Sequence, residues 1–290
     1  MLEFKNISKN YKTIQALKDV SFSIPENSIF GILGANGSGK STFMKILPGL
    51  IYDWSGEIYY HNKLIDQKNT LLKKDFGYLI ESPTFYEYLS ARHNLELLSR
   101  ISGVNKDRID YVLDLVNLTN RSHDKVDTYS YGMKQRLGIA QALLHDPKVV
   151  ILDEPNNGLD PNGIDDMTQL IKRLRTEGKT VCLSTHNLKD VEEVCTDFTI
   201  FKEGENSIAT SMEEQLKNSN KWLINIKDPD AAKSKIKQSN SFKLVKTYHE
   251  SLLIESSSDN TVNDLNKLLS GLEIYKISKQ SNLIEYFKND

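Results

Sequence analysis

The sequence predicts an α/β fold built on a mainly parallel sheet, followed by a smaller α+β domain. Short apolar runs bounded by polar turns, at residues 29–33, 149–152 and 180–183, are typical of buried strands. Segments with helical spacing, residues 42–47 and 111–118, lie between them. Strands that alternate with helices favour a parallel sheet with helical crossovers.

This alternation ends near residue 212, beyond which lysine, serine and asparagine become frequent. We therefore expect one α/β domain over residues 1–212 and a small accessory α+β domain over residues 213–290. The pattern within the second domain predicts, in order, strand 222–227, helix 230–237, strands 242–248 and 252–255, helix 261–272 and strand 274–277. This βαββαβ order is that of a split βαβ, ferredoxin-like unit.

Composition narrows the class of protein. With 290 residues, 39% hydrophobic and 26% charged, and a net charge of −2, the chain is close to an average globular protein and shows no basic patch for nucleic acid. No apolar run approaches the roughly 18 residues of a membrane-spanning helix, and the first residues lack a signal-peptide core, so we expect a cytoplasmic chain. Cys182 and Cys195 predict two reduced thiols, with neither a disulfide framework nor a zinc site.

The segment GANGSGKST, residues 34–42, directly follows the first buried strand and matches GxxxxGK[ST]. Glycines allow such a loop to point backbone N–H groups at phosphate oxygens. Lys40 supplies a charge for the β- and γ-phosphates, and Ser41 supplies a hydroxyl for Mg²⁺. The alternative is a chance glycine-rich turn. The remaining loop residues expected to bind the nucleotide are Gly34, Asn36, Gly37, Ser38, Gly39 and Thr42.

Two carboxylates, Asp153 and Glu154, end the second apolar strand. Ligands of open α/β sheets bind at the carboxyl edge of the strands, so both residues are expected near the phosphate loop. Asp153 is the predicted Mg²⁺ partner, and Glu154 the predicted general base that polarises the attacking water. Two adjacent acids also occur at ordinary strand ends, and the phosphate loop upstream is what favours the catalytic interpretation.

The segment YSYGMKQR, residues 129–136, opens a stretch with helical spacing. Ser130 is a good N-cap, and Gly132 falls in the first turn, so this helix end can bind an anion. Because the phosphate loop already serves one nucleotide, this end is expected to act on a nucleotide held by another copy. The alternative is an amphipathic helix with a conventional cap.

The motifs GANGSGKST, YSYGMKQR, VVILDEP, NNGLDP and STHNL resemble, in order and spacing, those of ABC transporter ATPases, over about residues 1–212. This resemblance implies a P-loop ABC-type nucleotide-binding domain with a helical subdomain, which hydrolyses ATP with Mg²⁺. It also implies an ATP-dependent head-to-tail homodimer, docked on a separate integral membrane permease at the inner face of the cell membrane. By position, Tyr11 resembles the aromatic residue that stacks on adenine, and Ser130 and Gly132 resemble the residues that contact the γ-phosphate. Asp160 resembles the acidic residue of the D-loop, and His186 resembles the switch histidine.

The chain departs from the family pattern at two places. Tyr131 and Met133 stand where the signature usually has a glycine and a glutamine, and Glu81 stands at the position of the Q-loop glutamine. Like glutamine, Glu81 could ligate Mg²⁺ and bond the water, but it adds negative charge beside the triphosphate. The alternative is a solvated loop carboxylate.

Glu81, together with the signature, is similar to the bacitracin-resistance and lantibiotic-immunity branch, whose transporters expel membrane-active peptides. The sequence therefore predicts the ATPase subunit of such an exporter. An exporter of another small drug or lipid is the main alternative. A non-transport ABC ATPase and a nucleotide kinase or GTPase are further alternatives, although the last has no use for the signature helix.

Overall fold

The computed structural model describes residues 1–65, 74–257 and 262–281. The chain divides into two compact units, Met1–Thr210 and Ser211–Asp290. The sequence placed this division after residue 212.

The first unit contains two sheets and six α-helices within the described residues. Its strands are β1 (Leu2–Tyr11), β2 (Ile14–Ile24), β3 (Ile29–Gly34), β4 (Trp54–Tyr60), β5 (Lys63–Leu64), β6 (Phe76–Leu79), β7 (Val149–Asp153), β8 (Thr180–Thr185), β9 (Asp197–Lys202) and β10 (Glu205–Asn206), with β11 (Thr210–Ser211) at the division. Its helices are α1 (Lys40–Met44), α2 (Ala91–Ser102), α3 (Asp107–Leu115), α4 (Tyr131–Leu143), α5 (Pro161–Thr176) and α6 (Leu188–Val194).

The central sheet has the order β10-β9-β3-β8-β7-β6, and β3, β6, β7, β8 and β9 pair in parallel. The predicted α/β fold with a mainly parallel sheet is therefore confirmed. Every residue of β3 and β8 is buried, which explains why neither strand alternates apolar and polar side chains. Because β3, β8 and β7 are parallel neighbours, the loops that follow them meet at one edge of the sheet.

Two further groups of elements complete the first unit. A second sheet, in the order β2-β1-β4-β5, is antiparallel throughout. Helices α2, α3 and α4 pack against one another and form the helical subdomain. None of the helices in the described ranges is both long enough and apolar enough to span a membrane.

Two of the helices predicted in the first unit have different bounds in the structure. The helix predicted over residues 42–47 is α1, which begins at Lys40 and ends at Met44, because Pro48 has no backbone N–H to donate to the Met44 carbonyl oxygen. The helix predicted over residues 111–118 is α3, which begins at Asp107 and ends at Leu115. Asn117 then takes a left-handed backbone with φ of 56°, which terminates the helix.

The second unit holds a four-stranded antiparallel sheet in the order β13-β14-β12-β15. Its elements are α7 (Met212–Asn218), β12 (Lys221–Ile226), α8 (Pro229–Lys237), β13 (Phe242–Thr247), β14 (Ser251–Ser256), α9 (Val262–Leu268) and β15 (Ile274–Gln280). From β12 onward the element order is βαββαβ, and the first strand lies between the third and the fourth, as in a split βαβ unit. Residue 261, at which the last helix was predicted to begin, lies outside the described residues.

One face of this sheet packs against α8 and α9. Its core includes Trp222, Ile224 and Ile226 of β12, Ile236 of α8 and Leu265 of α9. The alternating burial of β12 follows from this single covered face, because alternate side chains of a strand point to opposite faces. The small α+β C-terminal domain predicted from the sequence is thus present.

Asp146, three residues after α4, connects the helical subdomain to the central sheet. Its carboxylate accepts hydrogen bonds from Arg108 Nη2 at 2.7 Å and from Lys179 Nζ at 2.8 Å. Burial raises the pKa of this carboxyl, but the hydrogen bond from Lys179 and the charges of Lys179 and Arg108 outweigh it, and the pKa is lowered. The stabilisation is therefore fully present above the unfolded-state pKa and is lost as the pH falls through the native value.

Asp146→Asn is expected to lower the melting temperature by about 2–4 °C at neutral pH, equivalent to about 1 kcal/mol. The effect is no larger because the Asp146 side chain is 64% exposed and solvent screens the ion pairs. The difference from wild type should shrink as the pH falls below about 4. Thermal unfolding followed across this pH range checks both points. If Asp146→Asn has the same melting temperature as wild type at pH 7, the ion pairs of Asp146 do not stabilise the fold and this prediction is wrong.

Candidate functional site

A cavity of about 580 Å³ lies where β3, β7 and β8 end. Its volume falls within the range of roughly 300–1,000 Å³ that is usual for small-molecule sites. The predicted residues that line it are Asn36, Gly37, Gly39, Lys40, Ser41, Thr42, Glu154 and His186. Residues from three separate parts of the sequence are therefore brought together, as the strand-end argument predicts.

The backbone of the phosphate loop requires glycine at particular positions. Gly39 has φ of 107°, and a Cβ on it would lie 2.7 Å from the carbonyl oxygen of Ala16. A Cβ on Gly34 would lie 2.5 Å from the carbonyl oxygen of Phe201. Gly34 and Ser38 also belong to the loop, but both are buried and neither lines the cavity.

Lys40 is buried and faces the predicted base. Its Nζ donates to the carbonyl oxygens of Gly34 at 2.8 Å and Ala35 at 3.1 Å, and lies 3.5 Å from Glu154 Oε1. Only 5% of the Lys40 side chain is exposed. The loop therefore holds a fixed positive charge, and an anion in the cavity would meet it without further reorganisation.

Asp153 and Glu154 are joined through Ser184 on the neighbouring strand β8. The Ser184 hydroxyl donates to Asp153 Oδ1 at 2.5 Å and accepts from the backbone N–H of Glu154 at 2.9 Å. Glu154 Oε2 lies 2.8 Å from His186 Nδ1. Glu154 also has a left-handed backbone, with φ of 49°, which is uncommon for a non-glycine residue. Lys40 and His186 thus orient the Glu154 carboxylate, and Ser184 holds its backbone N–H.

Glu81 lies outside the residues that line this cavity. It follows β6, has φ of 63°, and its Oε1 accepts a short hydrogen bond from Lys45 Nζ. The hydrogen bond and the charge of Lys45 lower the pKa of the Glu81 carboxyl. Through Lys45, Glu81 is tied to the helix that begins at Lys40 and Ser41.

Ser130, Gly132 and Asp160 line a second cavity, of about 420 Å³, which shares no residue with the first. Ser130 is the N-cap of α4, and its hydroxyl accepts from the Met133 backbone N–H at 3.3 Å. Asp160 is the N-cap of α5 and accepts from the Gly163 backbone N–H at 2.9 Å. Within one copy, the structure therefore does not unite these three residues with the phosphate loop.

Tyr11 lies at the end of β1 and lines neither cavity. It pairs across the hairpin with Ile14, which lines the first cavity. Its half-exposed ring has the Lys9 ammonium 4.9 Å from its centroid, and Lys9 Nζ is itself fixed by the carbonyl oxygens of Tyr52 and Asp53. A cation–π contact therefore fixes the ring on the strand pair whose partner residue Ile14 lines the cavity.

Sequence reasoning missed several residues of the site. The first cavity is also lined by Ile14, Gln15, Ala16, Asn157, Glu203 and Gly204. Asn157 could have been found from its position three residues after Glu154. Ser184 could have been found from its place on the strand that precedes His186. The other residues carry no local signal, because only the pairing of the strands brings them to the phosphate loop.

A phosphate loop at the edge of a parallel sheet, with a buried lysine and an oriented glutamate facing the same cavity, defines a nucleotide-hydrolysing P-loop protein. The sequence matches the ABC transporter family over residues 17–157. The lantibiotic transport ATP-binding protein SrtF of Streptococcus pyogenes is 40% identical over 69% of this chain and 86% of SrtF. The bacitracin transport ATP-binding protein BcrA of Bacillus licheniformis is 33% identical over 99% of this chain and 96% of BcrA.

Among solved structures, the dimeric post-hydrolysis state of the ATP-binding cassette MJ0796, bound to ADP and Pi, matches with a TM-score of 0.65 and 29% identity. The match covers 73% of this chain and 99% of that chain. The chain therefore belongs to the ABC transporter family, as an ATP-binding subunit that hydrolyses ATP.

Proposed function

We propose that this chain powers an exporter that expels a lantibiotic- or bacitracin-like peptide from the membrane, and so confers immunity or resistance. The observation that carries the proposal is the similarity to BcrA, because it extends over 99% of this chain and includes the second unit. Glu81 and the YSYGMKQR signature support the same branch. Transport itself would be performed by a separate integral membrane permease.

The residues at the phosphate loop fit Mg²⁺ and ATP. Mg²⁺ prefers oxygen ligands and is usually bound by one or two carboxylates together with phosphate oxygens. Within the described residues no group of three or more His, Cys, Asp or Glu side chains is arranged so that it could hold a metal ion by itself. Ser41, Asp153 and Glu81 are the proposed ligands, and Asp153 has its Oδ1 engaged by Ser184, which leaves Oδ2 for the metal.

In the proposed mechanism, Ser41, Asp153 and Glu81 would hold Mg²⁺, which would supply positive charge near the transferring phosphoryl group. The Lys40 ammonium, already fixed by carbonyl oxygens, stabilises the negative charge that develops on this group. Glu154 accepts a proton from the attacking water, and His186 orients the Glu154 carboxylate through its contact at 2.8 Å. Tyr11 stacks on the adenine at the rim of the cavity.

The two separate cavities support a head-to-tail homodimer. Ser130, Gly132 and Asp160 lie in a cavity that shares no residue with the phosphate-loop cavity of the same copy. They would contact the nucleotide held by the phosphate loop of the other copy, so that two ATP molecules are enclosed between two chains. Binding of ATP would then drive dimerisation, and hydrolysis of ATP would allow the dimer to separate.

The loop between β6 and α2 is the proposed contact with the permease at the inner face of the cell membrane. Tyr86 and Tyr88 in this loop are exposed. Glu87, between them, accepts a hydrogen bond from Lys134 Nζ at 2.5 Å, and Lys134 belongs to the signature helix α4. A movement of α4 on ATP binding would therefore be passed directly to this loop.

The proposal predicts a specific pattern of drug susceptibility. In the organism that carries this chain, chromosomal Glu154→Gln should raise susceptibility to bacitracin or to a lantibiotic several-fold, because the exporter loses its energy source. Growth inhibition measured across a panel of peptides and small drugs checks this. Glu193→Gln is the matched control, since it makes the same chemical change at an exposed residue of α6.

Loss of resistance to small drugs alone would instead favour the alternative exporter of another substrate. Unchanged susceptibility to every peptide in the panel would contradict the proposed function.

A further inference from the structure

Glu81 raises an electrostatic problem that the family glutamine does not have. An ionised carboxylate at the Q-loop position would repel the negative triphosphate, because like charges repel. A chain that keeps a glutamate there needs a compensating positive charge.

Lys45 supplies that charge. Its Nζ donates a short hydrogen bond to Glu81 Oε1, across 36 positions of sequence. The backbone N–H of Lys45 donates to the Ser41 carbonyl oxygen at 3.2 Å, so the two residues are one helical turn apart. Side chains at this spacing lie on the same face, with their Cβ atoms about 5–6 Å apart. Lys45 therefore ties Glu81 to the face of α1 that carries the proposed Mg²⁺ ligand Ser41.

The ion pair between Lys45 and Glu81 is exposed and can be replaced when another cation binds. Glu81 is 67% exposed and Lys45 is 28% exposed, so solvent screens this ion pair and it contributes little to stability. Glu81 has a left-handed backbone, with φ of 63°, which is uncommon for this residue type. Such an ion pair orients the carboxylate but is readily replaced by a cation that binds the carboxylate more tightly.

We propose that Lys45 is a positioning residue that neutralises Glu81 beside Ser41 in the nucleotide-free chain and releases it to Mg²⁺ when Mg·ATP binds. This inference rests on the proposed role of Glu81 as a metal ligand. After release, the Lys45 ammonium remains one turn from Ser41 and offsets the extra negative charge that glutamate brings to the triphosphate. Lys45 and Glu81 thus act as one unit that replaces the neutral glutamine of the family.

A double-mutant cycle tests the proposal. Purified wild type, Lys45→Met, Glu81→Gln and the double variant are compared for the affinity of Mg·ATP, measured by calorimetry in the Glu154→Gln background so that hydrolysis does not interfere. We expect Lys45→Met to weaken binding several-fold when Glu81 is present, and by less than twofold when residue 81 is glutamine. Lys45→Arg should restore most of the affinity, because it returns the positive charge.

Equal losses from Lys45→Met in both backgrounds would overturn the proposal, since Lys45 would then act independently of Glu81. Melting temperatures of the nucleotide-free variants show whether a loss of Mg·ATP affinity comes from a damaged fold. If the affinity falls in step with the melting temperature and not with the removal of the positive charge, the proposal is also overturned. Mg·ATP binding does not involve the transported compound. Failure of the peptide-resistance assay would thus remove the proposed function and leave the coupling between Lys45 and Glu81 intact.

Discussion

Glu154→Gln is expected to reduce steady-state ATP hydrolysis by about 100-fold or more, the usual contribution of a positioned general base. The amide has the shape of the carboxylate, so it can remain between Lys40 and His186, but it cannot accept the proton of the attacking water. Binding should survive because no phosphate-loop residue changes. The variant is therefore expected to accumulate as an ATP-bound dimer.

Phosphate release and size-exclusion chromatography with and without Mg·ATP measure the two effects. Glu193→Gln, on the exposed side of α6, should behave as wild type in both assays. If Glu154→Gln hydrolyses ATP within about twofold of wild type, the attacking water is activated by another group, and the assignment of the base is wrong.

The parts of this site that were predicted from sequence are those that local chemistry encodes. The phosphate loop must have glycine where its backbone is left-handed, as at Gly39, and a lysine that reaches the phosphates. The buried strand β7 must be apolar, so the carboxylates at its end stand out against it. In the second unit, one covered sheet face gives β12 an alternating pattern that can be read directly.

The remaining features depend on contacts between distant parts of the chain. The antiparallel sheet of β1, β2, β4 and β5 was not predicted, because shifts in register interrupt the alternation of burial, as between Phe4 and Ile7 in β1. No local signal links Lys45 to Glu81 or places Glu203 at the phosphate loop. These pairings follow from strand order and loop geometry, which single-residue patterns do not carry.

Ser130→Asp is expected to lower ATP hydrolysis at least about 100-fold and to abolish ATP-induced dimerisation. Aspartate is as good an N-cap as serine, so α4 should remain intact. The new charge would face the triphosphate of the other copy, where repulsion of about 4 kcal/mol at contact distance opposes closure. Binding of ATP to a single copy should stay close to wild type, because Ser130 does not line the phosphate-loop cavity.

Ser130→Asn is the matched control for this prediction. Asparagine has nearly the shape of aspartate and caps helices equally well, but it carries no charge. Calorimetric ATP binding, dimerisation and hydrolysis, measured for both variants, separate charge from shape. If asparagine is tolerated and aspartate is not, the signature end of α4 meets the nucleotide of a second chain. If both variants lose activity equally, or if aspartate also prevents ATP binding to a single copy, the helix end does not act across the dimer.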